Sequence, residues 1–205
     1  MTLPDPRVLD LLERYFVVGW RDIRREAWRG DSLGYAPNQT AVGTTNGAGA
    51  RNVQIFVLSQ DLVVLHVLPG FWHPDDLLPE LELALQTDLL WRDPERTREQ
   101  KEDLFVLLHR ARLARTSAET LARSTWQGFD VSVELHRAQR EERLTVARGP
   151  DGKLALKPTC VLLHEQIALE PFVPFAEFDF ERWLDRGTRH YDNNRGFDEG
   201  RRIGE

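Results

Sequence analysis

Six histidines, one cysteine and a glycine-rich stretch could do chemistry in this chain. Two histidines on one helix face, as in H-x-x-x-H or H-E-x-x-H, would point to zinc, because both imidazoles then reach one ion. His66, His73, His109, His136, His164 and His190 show neither spacing, so no metal ligand and no cofactor is expected. His66 lies in the apolar run "LVVLHVL" and reads as a core or edge histidine. His73 precedes Pro74 and reads as a helix cap. Cys160 and His164 stand four apart in "TCVLLHEQI" and would share one face of a helix. Such a pair can make a nucleophile. The run is mostly apolar, however, and a buried free cysteine is inert. No G-x-S-x-G marks a serine hydrolase. "TTNGAGARN" lacks the Gly-Lys-Ser/Thr of a phosphate-binding loop. No catalytic residue is therefore assigned.

The elements that would carry these groups follow from periodicity. "PDPRVLDLLERYF" starts a helix with Asp5 as N-cap and Pro6 at the first turn. Val8, Leu9, Leu12 and Phe16 form its apolar face, and it ends near Arg14. "YFVVGW" predicts a strand over Tyr15–Trp20. From Arg21 to Arg51 the pattern dissolves into a long Gly-, Asn- and Thr-rich connection, with one helical turn around Ile23–Trp28. Val53–Leu58 and Leu62–Leu68, joined by "SQD", predict a hairpin buried on both faces. A helix beginning near Asp75 or Asp76 follows, with Leu77, Leu78, Leu81 and Leu85 as its stripe and Pro79 just past its first turn.

Asp93 and Pro94 predict the start of a further helix that buries Leu104, Leu107, Leu108, Ala111 and Ala114. "TSAE" at Thr116–Glu119 has the spacing of a capping box. "FDVSVELH" alternates strictly, with Phe129, Val131, Val133 and Leu135 on one side, and predicts a strand. "RLTVARGPDGKLALKP" predicts a hairpin turning at Pro150, Asp151 and Gly152. A last helix is expected over Asp179–Tyr191, and the tail after it reads as loose.

The segments "DPRVLDLLERYFVVGWRDI" and "FVLSQDLVVLHVLPGFWHPDDLLPEL" resemble parts of the thioredoxin-like fold. The first is similar to the helix and "F-V" strand that follow the active-site motif, the second to the closing hairpin and last helix. The likeness covers roughly Leu3 to Leu85. It implies an α/β chain (α+β overall): a degenerate three-layer thioredoxin-like domain over residues 1–90, with a helical and β-hairpin extension over 91–205 packed on it. Redox-active members carry Cys-x-x-Cys, where a helix N-terminus lowers the thiol pKa. Here that place would lie before Met1, the first strand is missing, and Val53 or Asn52 stands where the family has a cis-proline. No family catalytic residue is carried over.

Two functional expectations follow, with a metal-dependent enzyme using the histidines as a distant third. The first is a non-catalytic module that binds a protein or an extended peptide. Its groove would be lined by Asn46, Gly47, Arg51, Asn52, Val53, Phe71, Trp72 and His73, since Trp is enriched at binding hot spots. For Trp20, Trp72 and Trp183 the plainer alternative is a place in the core. The second expectation is a thiol (or selenol) disulfide oxidoreductase whose active-site segment lies upstream of the given start. In a chain lacking its first strand, "FDVSVELH" is the candidate to fill the open sheet edge; otherwise a homodimer would cover it.

Composition narrows the partners. The formal net charge is -6, which argues against general nucleic-acid binding, because that needs Lys and Arg to replace phosphate counterions. No apolar run is long enough to span a bilayer. "MTLPDPRVLDLL" lacks the basic and apolar regions of a signal peptide. A single cysteine, Cys160, excludes a disulfide within the chain. A soluble cytoplasmic protein is expected.

Overall fold

Asp5 opens the first helix as its sequence predicts. In this computed structural model, which describes residues 2–22, 54–69, 72–124 and 134–179, helix α1 spans Pro6–Tyr15. The Asp5 carboxylate accepts from the Arg7 backbone N–H at 2.9 Å, and the Arg7 side chain donates to it as well. Val8 is fully buried, and Leu11, Leu12 and Phe16 pack against the core. Leu9 is exposed, contrary to the predicted face, because it lies about 100° round the helix from Val8.

The predicted strand Tyr15–Trp20 is not found. The helix takes Tyr15, and residues 16–22 have no regular structure. The Phe16 backbone is extended, but apolar β-formers make a strand only when a neighbour accepts their hydrogen bonds, and no ladder to this segment forms among the described residues.

The hairpin is present. Strands β1 (Gln54–Leu58) and β2 (Val64–Pro69) pair antiparallel, with Ile55 opposite Leu68 and Val57 opposite His66. Leu58 faces Val64, so Leu65 is an extra residue and the ladder bulges there. The predicted two-sided burial holds for β2, where Val64 to Leu68 are all buried; in β1, Val57 is buried and Ile55, Phe56 and Leu58 are half-buried. The turn places Leu62 at φ 59°, in the left-handed region. This turn is held from far along the chain. The Val64 N–H donates to the Val173 carbonyl at 2.8 Å, and the Phe175 N–H donates to the Leu62 carbonyl at 2.8 Å. Residues 173–175 therefore lie along the start of β2, in the sheet whose open edge "FDVSVELH" is expected to fill. Of that predicted strand, residues 134–136 are helical and 129–133 lie outside the described residues.

Helix α2 spans Pro74–Arg92 and so runs across the boundary expected near residue 90. Pro79 sits inside it, just past the first turn. Its buried residues include Leu77 and Leu81 but also Asp76, Glu80 and Thr87, so a polar line is buried beside the leucine stripe. Helix α3 is Arg98–Ala114. It does not start at Asp93–Pro94: Asp93 ends α2, and Thr97 with Gln100 forms the capping box that opens α3. Replacing Thr97 by alanine is expected to cost about 1 kcal/mol, read as a shift of the urea midpoint with an unchanged slope. No loss would mean that the box is not formed in solution.

The buried face of α3 is also not the predicted one. Leu107, Ala111 and Ala114 are exposed, whereas Phe105 and His109 are buried. Helix α4 (Ala118–Arg123) starts one residue later than the expected box, with Ser117 as N-cap. A helical stretch over 134–138 follows. The second hairpin is as expected, β3 (Val146–Arg148) against β4 (Leu154–Leu156), with Gly152 at φ 77° in its turn. Among the described residues, helix α5 (Thr159–Ile167) completes the regular elements apart from a short 3-10 turn at Phe175–Glu177.

The chain is thus mixed α and β, with two small antiparallel sheets among the described residues. One buried cluster draws on both halves: Val8, Leu65, Trp72 and Leu81 from the first, Phe105, Leu163, Ile167 and Phe172 from the second. Among the described residues no helix is long and apolar enough to cross a membrane. The expected turn at Ile23–Trp28, the helix beyond Asp179 and the tail lie outside the described residues.

Candidate functional site

Where the two halves meet, the core is polar. His66 comes from β2, Glu80 from α2, His109 and Arg112 from α3, and His164 from α5. The side chains of His66, Glu80 and His164 are no more than 1 % exposed. Each element delivers its residue through its own period. His66 alternates with Leu65 and Val67 on a strand covered on both faces. Glu80 lies one turn beyond the buried Asp76. His109 and Arg112 share a face of α3 with Phe105.

The contacts are close. His66 Nε2 is 2.8 Å from Glu80 Oε2, and Arg112 Nη2 is 2.9 Å from Glu80 Oε1. His164 Nε2 stands 3.4 Å from Glu80 Oε1, and His109 Nδ1 is 2.8 Å from His164 Nδ1. The imidazoles also pack on one another: the His66 and His109 ring centres are 5.3 Å apart, and Phe105 lies 4.4 Å from His109. Burial pushes the His66 and His109 imidazoles below their ordinary pKa, which keeps both rings neutral near pH 7. Burial alone would raise the Glu80 carboxyl, but His164 and His66 beside it outweigh that and hold it well below the carboxylate range. The site is therefore an ionised carboxylate gripped by a guanidinium and surrounded by imidazoles.

A second buried ion pair lies next to it. Asp76 accepts from Thr120 Oγ1 at 2.7 Å and from Arg123 Nε at 2.8 Å, which fastens α2 to α4. Here no buried side-chain polar atom is left without a hydrogen-bond partner. The histidine cluster differs: His66 Nδ1, His109 Nε2, Arg112 Nε and His164 Nε2 are buried with no hydrogen-bond partner. Unpaired buried polar atoms are rare in folded proteins and each costs free energy.

The pair Cys160 and His164 does sit on one helix, α5, with both residues buried. Burial pushes the Cys160 thiol up, which disfavours the thiolate that a nucleophile needs. His73 caps α2, its Nδ1 accepting from the Asp75 N–H at 3.4 Å.

The expected groove is not assembled by the described residues. Asn46, Gly47, Arg51, Asn52, Val53 and Phe71 lie outside them. Trp72 is 2 % exposed and belongs to the core, and its carbonyl accepts from the Thr2 hydroxyl. Of the groove residues, only His73 is both described and partly exposed. Trp20 reverses its alternative expectation: it is 91 % exposed rather than in the core. Trp183 lies outside the described residues.

The grouping of Glu80, His109 and His164 was not foreseen in the sequence. The available signal was weak but real: Asp76 and Glu80, His109, and His164 each interrupt an apolar helical stripe. No family model, curated protein or solved structure was found to match this chain.

Proposed function

We propose that the chain is a non-catalytic binding module, its first half thioredoxin-like in descent, that holds an extended segment of a partner protein. The observation that carries this reading is the strip after α1. Val17, Val18 and Trp20 are all large, apolar and exposed, while Trp72, Phe105 and Phe172 are buried. Val and Trp favour extended backbone. An apolar segment with no strand partner among the described residues is what a partner strand adds to, with main-chain hydrogen bonds giving affinity and side chains giving choice. Phe16, packed on the core, anchors one end of the strip. Supporting the non-catalytic part, the densest group of titratable side chains among the described residues is sealed from solvent, where no substrate reaches it. A cytoplasmic setting is proposed with it, since the chain's single cysteine is buried and the fold draws on no disulfide.

The test is fluorescence polarisation against a panel of labelled, extended, Val- and Phe-rich decapeptides. At least one is expected to bind saturably, and Trp20→Ala to weaken it about tenfold or more, as central tryptophans do, with an unchanged melting temperature. Absence of saturable binding across the panel, or an unchanged Kd in the variant, would remove this reading.

A further inference from the structure

We infer that His66, Glu80 and His164 form a binding site for one divalent transition-metal ion, zinc being the ion whose chemistry they fit best. Their ligand atoms all lie within 4.8 Å of one another, and all three residues are buried. A zinc ion sits about 2.0–2.2 Å from nitrogen and oxygen donors, so tetrahedral donors stand roughly 3.4 Å apart. His164 Nε2 to Glu80 Oε1 is 3.4 Å, and His66 Nε2 to Glu80 Oε2 is 2.8 Å. Only small movements would seat an ion between them. Two imidazoles and a carboxylate are a recurrent set of protein donors for zinc and for ferrous iron.

A second observation points the same way. His164 Nε2 is buried, has no hydrogen-bond partner and faces the Glu80 carboxylate. Its other nitrogen is 2.8 Å from His109 Nδ1. If the His164 Nδ1–H donates to His109, the lone pair on His164 Nε2 is left directed at the site. That is the service an outer partner gives a ligating histidine. His109 is on this account a positioning residue, and it explains why a third imidazole is buried here.

Arg112 sets a limit on affinity. Its guanidinium already holds Glu80 Oε1, the oxygen that faces His164 Nε2, at 2.9 Å, and its charge repels a cation. The ion must therefore be held by its nitrogen donors against that repulsion. Arg112→Met is expected to tighten metal binding, whereas in a plain ion-pair network the same change would only destabilise the protein. The ligands come from β2, α2 and α5, and the site is closed to solvent, so the ion would tie these elements together rather than meet a substrate.

The experiment uses the whole chain, stripped with chelator and titrated with zinc and with cobalt(II). One ion per chain is expected, with visible d–d absorption in the cobalt form. X-ray absorption of the zinc form should show two imidazoles with oxygen and no sulfur. His164→Gln, if folded by circular dichroism, should lose the cobalt bands, and Arg112→Met should lower the Kd at least threefold. A wild-type chain that binds neither ion overturns the inference regardless of how the variants fold. So does a sulfur shell, which would bring in Cys160, and so do cobalt bands that survive in folded His164→Gln.

Discussion

Glu80→Ala, measured in chelator, is expected to lose about 3–5 kcal/mol of unfolding free energy, the size of effect seen when one member of a buried charge pair is removed. Glu80 is the only anion touching Arg112 among the described contacts, at 2.9 Å, and it also holds His66 at 2.8 Å. Removing it leaves a largely buried guanidinium whose Nε already lacks a partner. The loss should be largely recovered by adding Arg112→Met, because the pair replaced by apolar groups of similar size no longer buries an orphan charge. A double-mutant cycle on urea midpoints measures this directly. A single-variant loss below about 1 kcal/mol, the range of an exposed pair, would mean that Glu80 and Arg112 meet in water rather than in the core.

Trp72→Ala is the second large effect, about 3–5 kcal/mol, as for other buried aromatic truncations. The residue is 2 % exposed and packs with Val8, Leu68 and Leu77 in one cluster. Trp20→Ala should instead change stability by no more than about 0.5 kcal/mol, as exposed substitutions do. The contrast separates two roles that the sequence leaves interchangeable: Trp72 holds the fold, and Trp20 is free to touch something else. Chemical denaturation of both variants decides it. A Trp72 variant as stable as the parent would place that indole outside the core and return it to the groove.

What could be read in the sequence was whatever depends on near neighbours. Asp5–Pro6 as a helix start, the β1–β2 hairpin and the Gly152 turn each follow from a few adjacent residues. The failures share a cause. Tyr15–Trp20 has every local sign of a strand, yet pairing needs a partner that local sequence does not supply. Phe105, His109 and Arg112 recur at helical spacing, but two of the three are polar, so the leucines beside them look like the inner face. They face inwards because Glu80 and His164, distant in sequence, give them partners. A buried polar cluster is invisible to a pattern that equates burial with apolarity.

The clasp of residues 173–175 on the start of β2 has a consequence during synthesis. A ribosome adds about 5–20 residues per second. The hairpin therefore leaves the exit tunnel several seconds before the segment that lies along it, and before the His164 that faces Glu80. Through that interval Val64, Leu65, Val67 and Leu68 have α1, β1, α2 and α3 to pack against but still lack α5 and the 173–175 segment. Transiently exposed apolar surface of this kind is what chaperones cover. A ribosome-bound chain stalled before Thr159 is expected to be digested by protease throughout, and one stalled well past Glu177 to be resistant.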